Sequence, residues 1–267
     1  MSSPADSTST ESGSPERFGY SWDRFHELSA DQEEQFRRWT SLIDPETGWK
    51  DKTILDVGCG TGRNSYWALT YGASEGLAID VDDRSLSHAR RKLESFPGME
   101  VRKESVYELE IADRFDIVFS IGVIHHLENP IAALRNMAHA VKPGGKVLIW
   151  VYGYENMELY VNVLNPLRQF LFSKLPMPVI WWLAFLPTGL LWVLLRAGFG
   201  SIRYFKLIRG FSFMHLHHII VDQMLPRISH YWRKEEVEHL MHSAGLSEIK
   251  LQWVNEMSWA AIGTRSP

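Results

Sequence analysis

The spacing of apolar and polar positions changes character twice along the chain. Between Tyr20 and Ile43, "YSWDRFHELSADQEEQFRRWTSLI" carries Trp22, Phe25, Leu28, Phe36 and Trp39 at roughly helical spacing, which predicts one or two amphipathic helices. From Lys52 short apolar runs take over, each followed by a turn and a helical pattern. "KTILDV", "GLAID", "MEVRK", "FDIVFSIG" and the end of "KPGGKVLIWVYG" read as strands, with "KPGG" as a turn. Between them lie three helices: "NSYWALTYG" closed by Gly72, "DRSLSHARRKLESF" capped by Asp82 or Asp83, and "NPIAALRNMAHAV". In the last, Asn129 is the N-cap and Pro130 takes the first helical position. "VIWWLAFLPTGLLWVLL", from Val179 to Leu195, then runs without a charged side chain. "RKEEVEHLMHSAG" is a helix ended by Gly245, and "LSEIKLQW" and "SWAAIGT" are two strands with no helix between them.

Strands alternating with helices predict right-handed crossovers and a parallel sheet covered on both faces. Two consecutive strands pair antiparallel at its edge. The expected fold is α/β: a seven-stranded, mostly parallel, doubly wound sheet with an antiparallel last strand. To it are added an N-terminal helical cap and a hydrophobic helical insert before the last two strands. The expected divisions are a leader over 1–16, a cap over 17–50, a core over 51–158, the insert over 159–232, and a closing helix and hairpin over 233–267. "MSSPADSTSTESGSPE" has neither a basic n-region nor an apolar h-region, so it does not read as a secretory signal. It is too polar to offset its ordering entropy and reads as disordered.

Composition narrows the class. The 267 residues are 45% apolar and 22% charged, as in a globular protein, and a net charge of −4 gives no whole-chain reason to expect nucleic acid. The single cysteine, Cys59, excludes an internal disulfide, and a reducing, cytoplasmic setting is expected. His215, His217, His218, Asp222 and His230 lie close in sequence, but neighbouring histidines without cysteines do not define a tetrahedral site. No metal is expected.

The chemistry concentrates in "ILDVGCGTGRN", where Gly58, Gly60 and Gly62 separate the first strand from its helix. Glycines there let the backbone turn tightly and approach a ligand at the carboxyl edge of the sheet. Asp80 closes the second strand 18 residues after Gly62, within reach of a ribose hydroxyl pair. A dinucleotide usually calls for G-x-G-x-x-G. Here the spacing is G-x-G-x-G, and Asp56 stands two residues before the first glycine. A carboxylate beside the turn repels a pyrophosphate and suits an ammonium or sulfonium, which favours S-adenosylmethionine.

"ILDVGCGTGRNS", "LAIDVDDRSLSHA", "FDIVFSIGVIHHLENP" and "VKPGGKVLIW" stand in the order and spacing of class I S-adenosylmethionine-dependent methyltransferases. The chain closely resembles that family from about Lys52 to Val151. The resemblance implies that Asp56, Gly58, Gly60 and Gly62, with Cys59 in the same turn, frame the methionine half of the cofactor. Asp80 would take the ribose hydroxyls, Val81 would pack on the adenine, and Ser120 and Ile121 would complete the pocket. "RKESVYEL" resembles the segment that reads the adenine edge, which makes Glu104 and Ser105 candidates. Lys103-Glu104 stand where the family commonly has Gly-Asp. "FGYSWDRF" resembles a segment that caps the pocket, through Tyr20, Trp22 and Phe25, and an amphipathic helix packed on the sheet is the plainer alternative. The stretch from His217 onward resembles a substrate-side lid, with Asp222, His230 and Tyr231 as candidate contacts, against the alternative of a polar lid whose hydrogen bonds only hold it shut.

A sulfonium methyl is already electrophilic, so the expected task is in-line alignment of an acceptor. A base is needed only where the acceptor must lose a proton. His125 and His126 in "GVIHHL" are the candidate bases, against the alternative that they are hydrogen-bonded structural histidines. The expected activity is methyl transfer to a small or amphipathic, lipid-like acceptor, with O-methylation ahead of C- or N-methylation. The alternatives are a catalytically silent scaffold of the same fold and an NAD-linked oxidoreductase.

The insert bears on the acceptor. No acidic residue lies between Glu158 and Asp222, and Arg168, Lys174, Arg196, Arg203, Lys206 and Arg209 give that stretch +6. A total of −4 therefore leaves −10 for the remainder. Leu175 to Leu195 is long enough to span a bilayer, but its "PTG" predicts two short helices in a hairpin. Spanning would also separate the last helix and strands from their sheet. Two readings stay open: a buried lid over an apolar substrate or partner subunit, and a membrane-surface element over 168–209. The sequence leaves the oligomeric state open.

Overall fold

The computed structural model describes residues 30–171 and 175–266. Its strands are β1 (Thr53–Val57), β2 (Glu75–Asp80), β3 (Met99–Lys103), β4 (Phe115–Ile121), β5 (Val141–Tyr152), β6 (Leu246–Val254) and β7 (Ser258–Arg265). They form one sheet in the order β3-β2-β1-β4-β5-β7-β6. The first five are parallel, and β7 runs antiparallel between β5 and β6. Strand order reverses between β1 and β4, so a crevice opens at the carboxyl ends of those two strands. The expected sheet is the one observed.

Alternating side chains divide the apolar positions between two faces. Leu55, Val118 and Val147 join a core with Leu134, Met137 and Met241, whereas their neighbours Ile54, Phe119 and Leu148 join another with Phe36, Trp49 and Leu86. The helices over these cores are α1 (Ala30–Trp39), α2 (Arg63–Thr70), α3 (Asp83–Leu93), α4 (Pro130–Ala140) and, near the C-terminus, α10 (Lys234–Ser243). Asp82 caps α3 by accepting from the Ser85 amide, and Asn129 caps α4 by accepting from the Ala132 amide. The "KPGG" segment belongs to β5 rather than to a separate turn. Val141 already pairs with Phe115, and the register shifts before Lys146 meets Ile117, so the extra residues form a kink within the strand.

The insert contributes α5 (Asn165–Leu171), α6 (Met177–Leu183), α7 (Phe185–Arg196), α8 (Arg203–Ile208) and α9 (Phe213–Met224). The expected hairpin at "PTG" is absent. Helices α6 and α7 follow end to end over Met177–Arg196, and the irregularity falls at Ala184. Pro187 has no amide proton for the Leu183 carbonyl and its ring crowds that carbonyl, so the disturbance lies one turn upstream. The Thr188 amide and hydroxyl both donate to the Ala184 carbonyl, at 3.0 and 2.6 Å, and carry the helix through. One side of this rod packs on α9, where Ile180 and Ala184 meet Val221, Met224 and Leu225. Leu195, nearer its C-terminal end, meets Ile208, Phe211 and Leu216.

One further expectation changes. Arg168, counted as a basic flank, is buried: Nε and Nη2 donate to Asn165 Oδ1, and Nη1 donates to the Pro226 carbonyl. The histidine run packs helices together. His217 is fully buried, stacked on Phe185 at 4.0 Å, with Nδ1 3.2 Å from the Thr188 hydroxyl. His215 stacks on Phe211 at 4.1 Å. Among the described residues no group of three or more His, Cys, Asp or Glu is placed to hold a metal ion.

Among the described residues Trp49 is the largest fully buried side chain, between Phe36 at 5.6 Å and the edge of Phe119 at 5.5 Å. Trp49→Ala is expected to cost about 3–5 kcal/mol in urea unfolding, whereas the exposed Trp182→Ala stays within about 0.5 kcal/mol.

Candidate active site

The turn from β1 into α2 is made by glycines in the left-handed region. Gly58 has φ +73°, and a Cβ there would come within 2.4 Å of Val123 Cγ2. Gly62 has φ +75°, and its Cβ would lie 3.0 Å from Ala89 Cα, where α3 crosses closely. Only glycine satisfies both demands. The turn is pinned to the end of β2: the Gly58 and Cys59 amides donate to the Ile79 carbonyl, both at 2.9 Å. The carboxylate of Asp80 accepts from the Gly60 amide at 2.8 Å and from the Asp82 amide at 3.0 Å. Burial raises the Asp80 pKa, and these amide donors oppose the shift.

Asp56 is fully buried beside the turn. Its Oδ2 accepts from the Ser65 hydroxyl at 2.6 Å, while Oδ1 has no hydrogen-bond partner. Burial pushes its carboxyl up to about 7, the Ser65 hydrogen bond opposes that, and the charge of Asp80 adds to it. An orphaned acid held near neutrality at the edge of a glycine cradle is suited to meet a cation. Arg63, the first residue of α2, lies over the Trp39 ring at 5.6 Å. Burial lowers its pKa against the opposing charges of Asp222 and Asp56.

Other sequence candidates fall into place around this turn with supporting duties. The Cys59 thiol is buried, and burial raises its pKa. Val81 is half-buried just beyond β2. Glu104 accepts from Arg102 Nη1 at 3.1 Å, and its amide donates to the Asp80 carbonyl at 3.1 Å. Ser105 caps the short turn of helix over Val106–Glu108. Ser120 is buried and donates to the Val57 carbonyl at 2.9 Å, a tie between β1 and β4, and Ile121 is buried in the core with Phe36. Tyr20, Trp22 and Phe25 lie outside the described residues; from the cap, α1 brings Trp39 to 4.9 Å from Trp150.

A second group assembles where β4 and β5 end. His125 is fully buried, stacked on Tyr152 at 3.8 Å, with no hydrogen-bond partner for either ring nitrogen. Burial drops its pKa well below the usual imidazole range, with the neighbouring His126 and His230 adding to the effect. His126 is half-buried, and its Nδ1–H donates to the Ile228 carbonyl at 2.8 Å. A carbonyl only accepts, so the proton sits on Nδ1 and Nε2 keeps its lone pair. Burial lowers this imidazole to about 4, so it is neutral at neutral pH.

The segment Ile228–Trp232 is bonded to these histidines and to the end of β5. The His230 amide donates to the His125 carbonyl at 2.8 Å, and its ring Nε2–H donates to the Leu127 carbonyl at 3.1 Å. The Trp232 amide donates to the Tyr152 carbonyl at 3.1 Å. His230 is thus a latch. Tyr231 stacks on Tyr152 at 5.4 Å. From α9, Gln223 Nε2 donates to the Tyr152 oxygen at 2.9 Å and its Oε1 accepts from the Tyr160 hydroxyl at 3.3 Å. Asp222, one residue earlier, lies 3.2 Å from His218 Nε2. Burial raises the pKa of Tyr152, Tyr160 and Tyr231 alike, so the three phenols are neutral.

Tyr152, Tyr160, Gln223, Trp150 and Arg63 are the members of this neighbourhood that sequence reading passed over. Tyr152 and Arg63 carried a positional signal: each stands at the carboxyl edge of a strand or just past the glycine turn, where ligands of open α/β sheets lie. Tyr160 and Gln223 sit in the insert, where no periodicity marks the face turned inward.

Residues 55–149 match a family model described as a methyltransferase domain. A ubiquinone biosynthesis O-methyltransferase of Pseudomonas paraeruginosa is 34% identical over 110 residues, which is 40% of this chain and 47% of that protein. A tRNA U34 carboxymethyltransferase of Cellvibrio japonicus is 30% identical over 171 residues, 62% of this chain and 51% of that protein. The chain thus matches about half the length of these relatives. Among solved structures, a magnesium protoporphyrin IX methyltransferase of Synechocystis with bound SAH covers 94% of this chain and 98% of its own at 11% identity and a TM-score of 0.58. A possible histamine N-methyltransferase of Thermotoga maritima covers 94% of this chain and 99% of its own at 14% identity and a TM-score of 0.55. These two share the fold.

The folded protein holds a proton on Asp56 that the unfolded chain releases near 3.8, since its pKa is raised to about 7. Its contribution to stability is therefore full below 3.8 and is lost as pH rises through about 7. Ser65→Ala removes a hydrogen bond that favours the ionised form, so carboxyl-carbon NMR is expected to show Asp56 titrating at higher pH. Asp56→Asn is expected to remove this part of the fall in the urea midpoint between about pH 5 and about pH 8.

Proposed function

We propose that this chain, whose residues 55–149 belong to the methyltransferase-domain family, is an S-adenosylmethionine-dependent methyltransferase acting on a small, amphipathic acceptor beneath the lid. The observation that carries the reading is the glycine turn clamped by the Asp80 carboxylate, with the orphaned acid Asp56 buried beside it. The cofactor supplies a methyl group already activated on a sulfonium. Asp56 and the glycine turn would hold its cationic methionine half, and Asp80 and Val81 the nucleoside half. The same features count against a dinucleotide, because the Gly60 amide, which a pyrophosphate would need, already donates to Asp80.

Around this site the chain's own groups orient the acceptor and exclude water. Trp150, Tyr152 and Tyr231 wall it, and the backbone bonds of Ile228–Trp232 keep the lid shut. Alignment of this kind can supply on the order of 7–11 kcal/mol of a barrier. Of the two candidate bases, His126 is favoured over His125, whose ring is fully buried against Tyr152. Its tautomer puts the ring's lone pair on Nε2, the nitrogen that would take a proton from a hydroxyl acceptor, and the likeness to an O-methyltransferase supports O-methylation. The tRNA-modifying relatives favour a second reading, an RNA acceptor. The net charge of −4 and the aromatic walls support the small acceptor instead.

Incubation with labelled S-adenosylmethionine and, separately, lipid extract, metabolite extract or tRNA, followed by mass spectrometry, identifies the acceptor. Label in the lipid or metabolite arm with release of S-adenosylhomocysteine is expected. Label in tRNA alone selects the RNA reading, and cofactor binding without S-adenosylhomocysteine in any arm leaves a silent scaffold. In calorimetry, affinity for S-adenosylmethionine is expected to rise as pH increases through about 7, where Asp56 ionises. Asp56→Asn should flatten that dependence, and NADH should not bind. Asp80→Ala should weaken binding by about 2–3 kcal/mol. His126→Gln should leave binding intact and lower turnover on a hydroxyl acceptor by about a hundredfold.

A further inference from the structure

The rod formed by α6 and α7 has two unlike sides. Ile180, Ala184, Thr188 and Leu195 are fully buried on the protein side. On the other side Val179, Trp182, Leu186, Leu190 and Val193 are exposed, with Trp182 at 71% and Leu186 at 83%. Steps of three and four residues place them in one stripe along the helix. Twenty residues make a rod about 30 Å long, too extended a stripe to count as scattered surface apolar residues. With one exception, Tyr107, every large apolar side chain exposed among the described residues lies in the stretch 159–214.

We propose that this outward face docks in the plane of an anionic bilayer surface. The choice of occupant rests on charge and on what lies behind the stripe. No acidic residue occurs between Glu158 and Asp222. Arg196 ends the rod exposed, its guanidinium 3.9 Å above the Trp192 ring, and Lys206 on α8 is exposed nearby in sequence. Arg203 pairs with Glu256 at 3.5 Å, so it contributes less. Arginine on tryptophan at the edge of an apolar stripe suits the headgroup layer, where rings sit at the boundary and cations meet anionic lipid.

A second copy is the poorer occupant. A two-fold contact through the stripe would bring two basic rims together with no acid between Glu158 and Asp222 in either copy to match them. Crossing the bilayer is excluded by the same helix's inner side. Ile180 and Ala184 would have to leave Val221 and Met224, and Thr188 would have to leave His217. Position also fits: α9, onto which the rod packs, sends Gln223 to Tyr152, so the docked layer is the outer roof of the site. An apolar acceptor would then arrive from the lipid side. The docking itself does not depend on the methyl-transfer reading.

Co-sedimentation tests it with vesicles of phosphatidylcholine alone and of phosphatidylcholine mixed with phosphatidylglycerol. The full chain is expected to pellet with the mixed vesicles, less at high salt, and weakly with the neutral ones. The variant Leu186→Glu with Leu190→Glu alters two exposed positions, so it should keep its thermal unfolding midpoint and its S-adenosylmethionine affinity. It should partition at least about tenfold more weakly. The proposal is overturned if the parent chain does not pellet with mixed vesicles, or if the variant pellets equally well. It is also overturned if the parent sediments in solution as a dimer that the variant dissolves, which assigns the stripe to a second copy. Calorimetric failure to bind S-adenosylmethionine would count against the proposed activity and leave the vesicle result standing.

Discussion

The carboxylate of Asp80 is the hinge on which the site depends. It joins two crossovers of the sheet by accepting from the Gly60 amide on one side and the Asp82 amide on the other. A buried carboxylate is costly unless donors surround it, and the backbone supplies both. Those bonds orient the glycine turn, whose left-handed residues bring the chain against Val123 and against α3. They also set the start of α3, since Asp82 must then cap it through Ser85. Loss of the acid would free the turn, the cap and the end of β2 together.

Desolvation sets the protonation state of nearly every group around the crevice. Asp56 is raised to about 7 and His126 is lowered to about 4, while Tyr152, Tyr160 and Tyr231 are raised, each with burial as the largest cause. The imidazole and the phenols are therefore neutral at physiological pH while Asp56 sits near its midpoint, and any charge brought by a ligand is weakly screened. Residues 228–232 give backbone groups to the ends of β4 and β5, so that segment's own polar groups find partners there. The hydrogen bonds of His230 to His125 and Leu127 tie that segment to the end of β4.

The sheet was readable in the sequence because each strand repeats one rule twice over. In "KTILDV" and "FDIVFSIG" successive residues feed opposite cores, and each run is bounded by residues with one local duty, such as Asn129, Asp82 or Gly72. The glycine turn was readable for the same reason: its conformation is a local property. What sequence could not place depends on distant neighbours. The tie from the Ser120 hydroxyl to the Val57 carbonyl, across the seam of β1 and β4, is one such contact. Arg168 looked like a surface cation, but Asn165 and Pro226 draw it inside. Tyr160 and Gln223 become part of the site only once α9 lies over β5. The "PTG" error is of another kind: a proline in the first turn of a helix disturbs the residues before it and leaves those after it helical.

The insert shows how one apolar segment can serve two environments without being a span. Its inner side is made specific by buried polar atoms: Thr188 bonds back to Ala184 and meets His217, which sits between Phe185 and Trp181. Such a network fixes the rotation of the rod about its axis, because turning it would bury Leu186 and strand Thr188 away from its partner. The outer side carries no comparable constraint; apolar character there is satisfied by any surface that removes water. Rotation fixed from within therefore decides which side chains face outward. His217 sets the orientation of the tryptophan and leucine stripe, and Gln223, on the same helix, connects that helix to the tyrosine at the crevice.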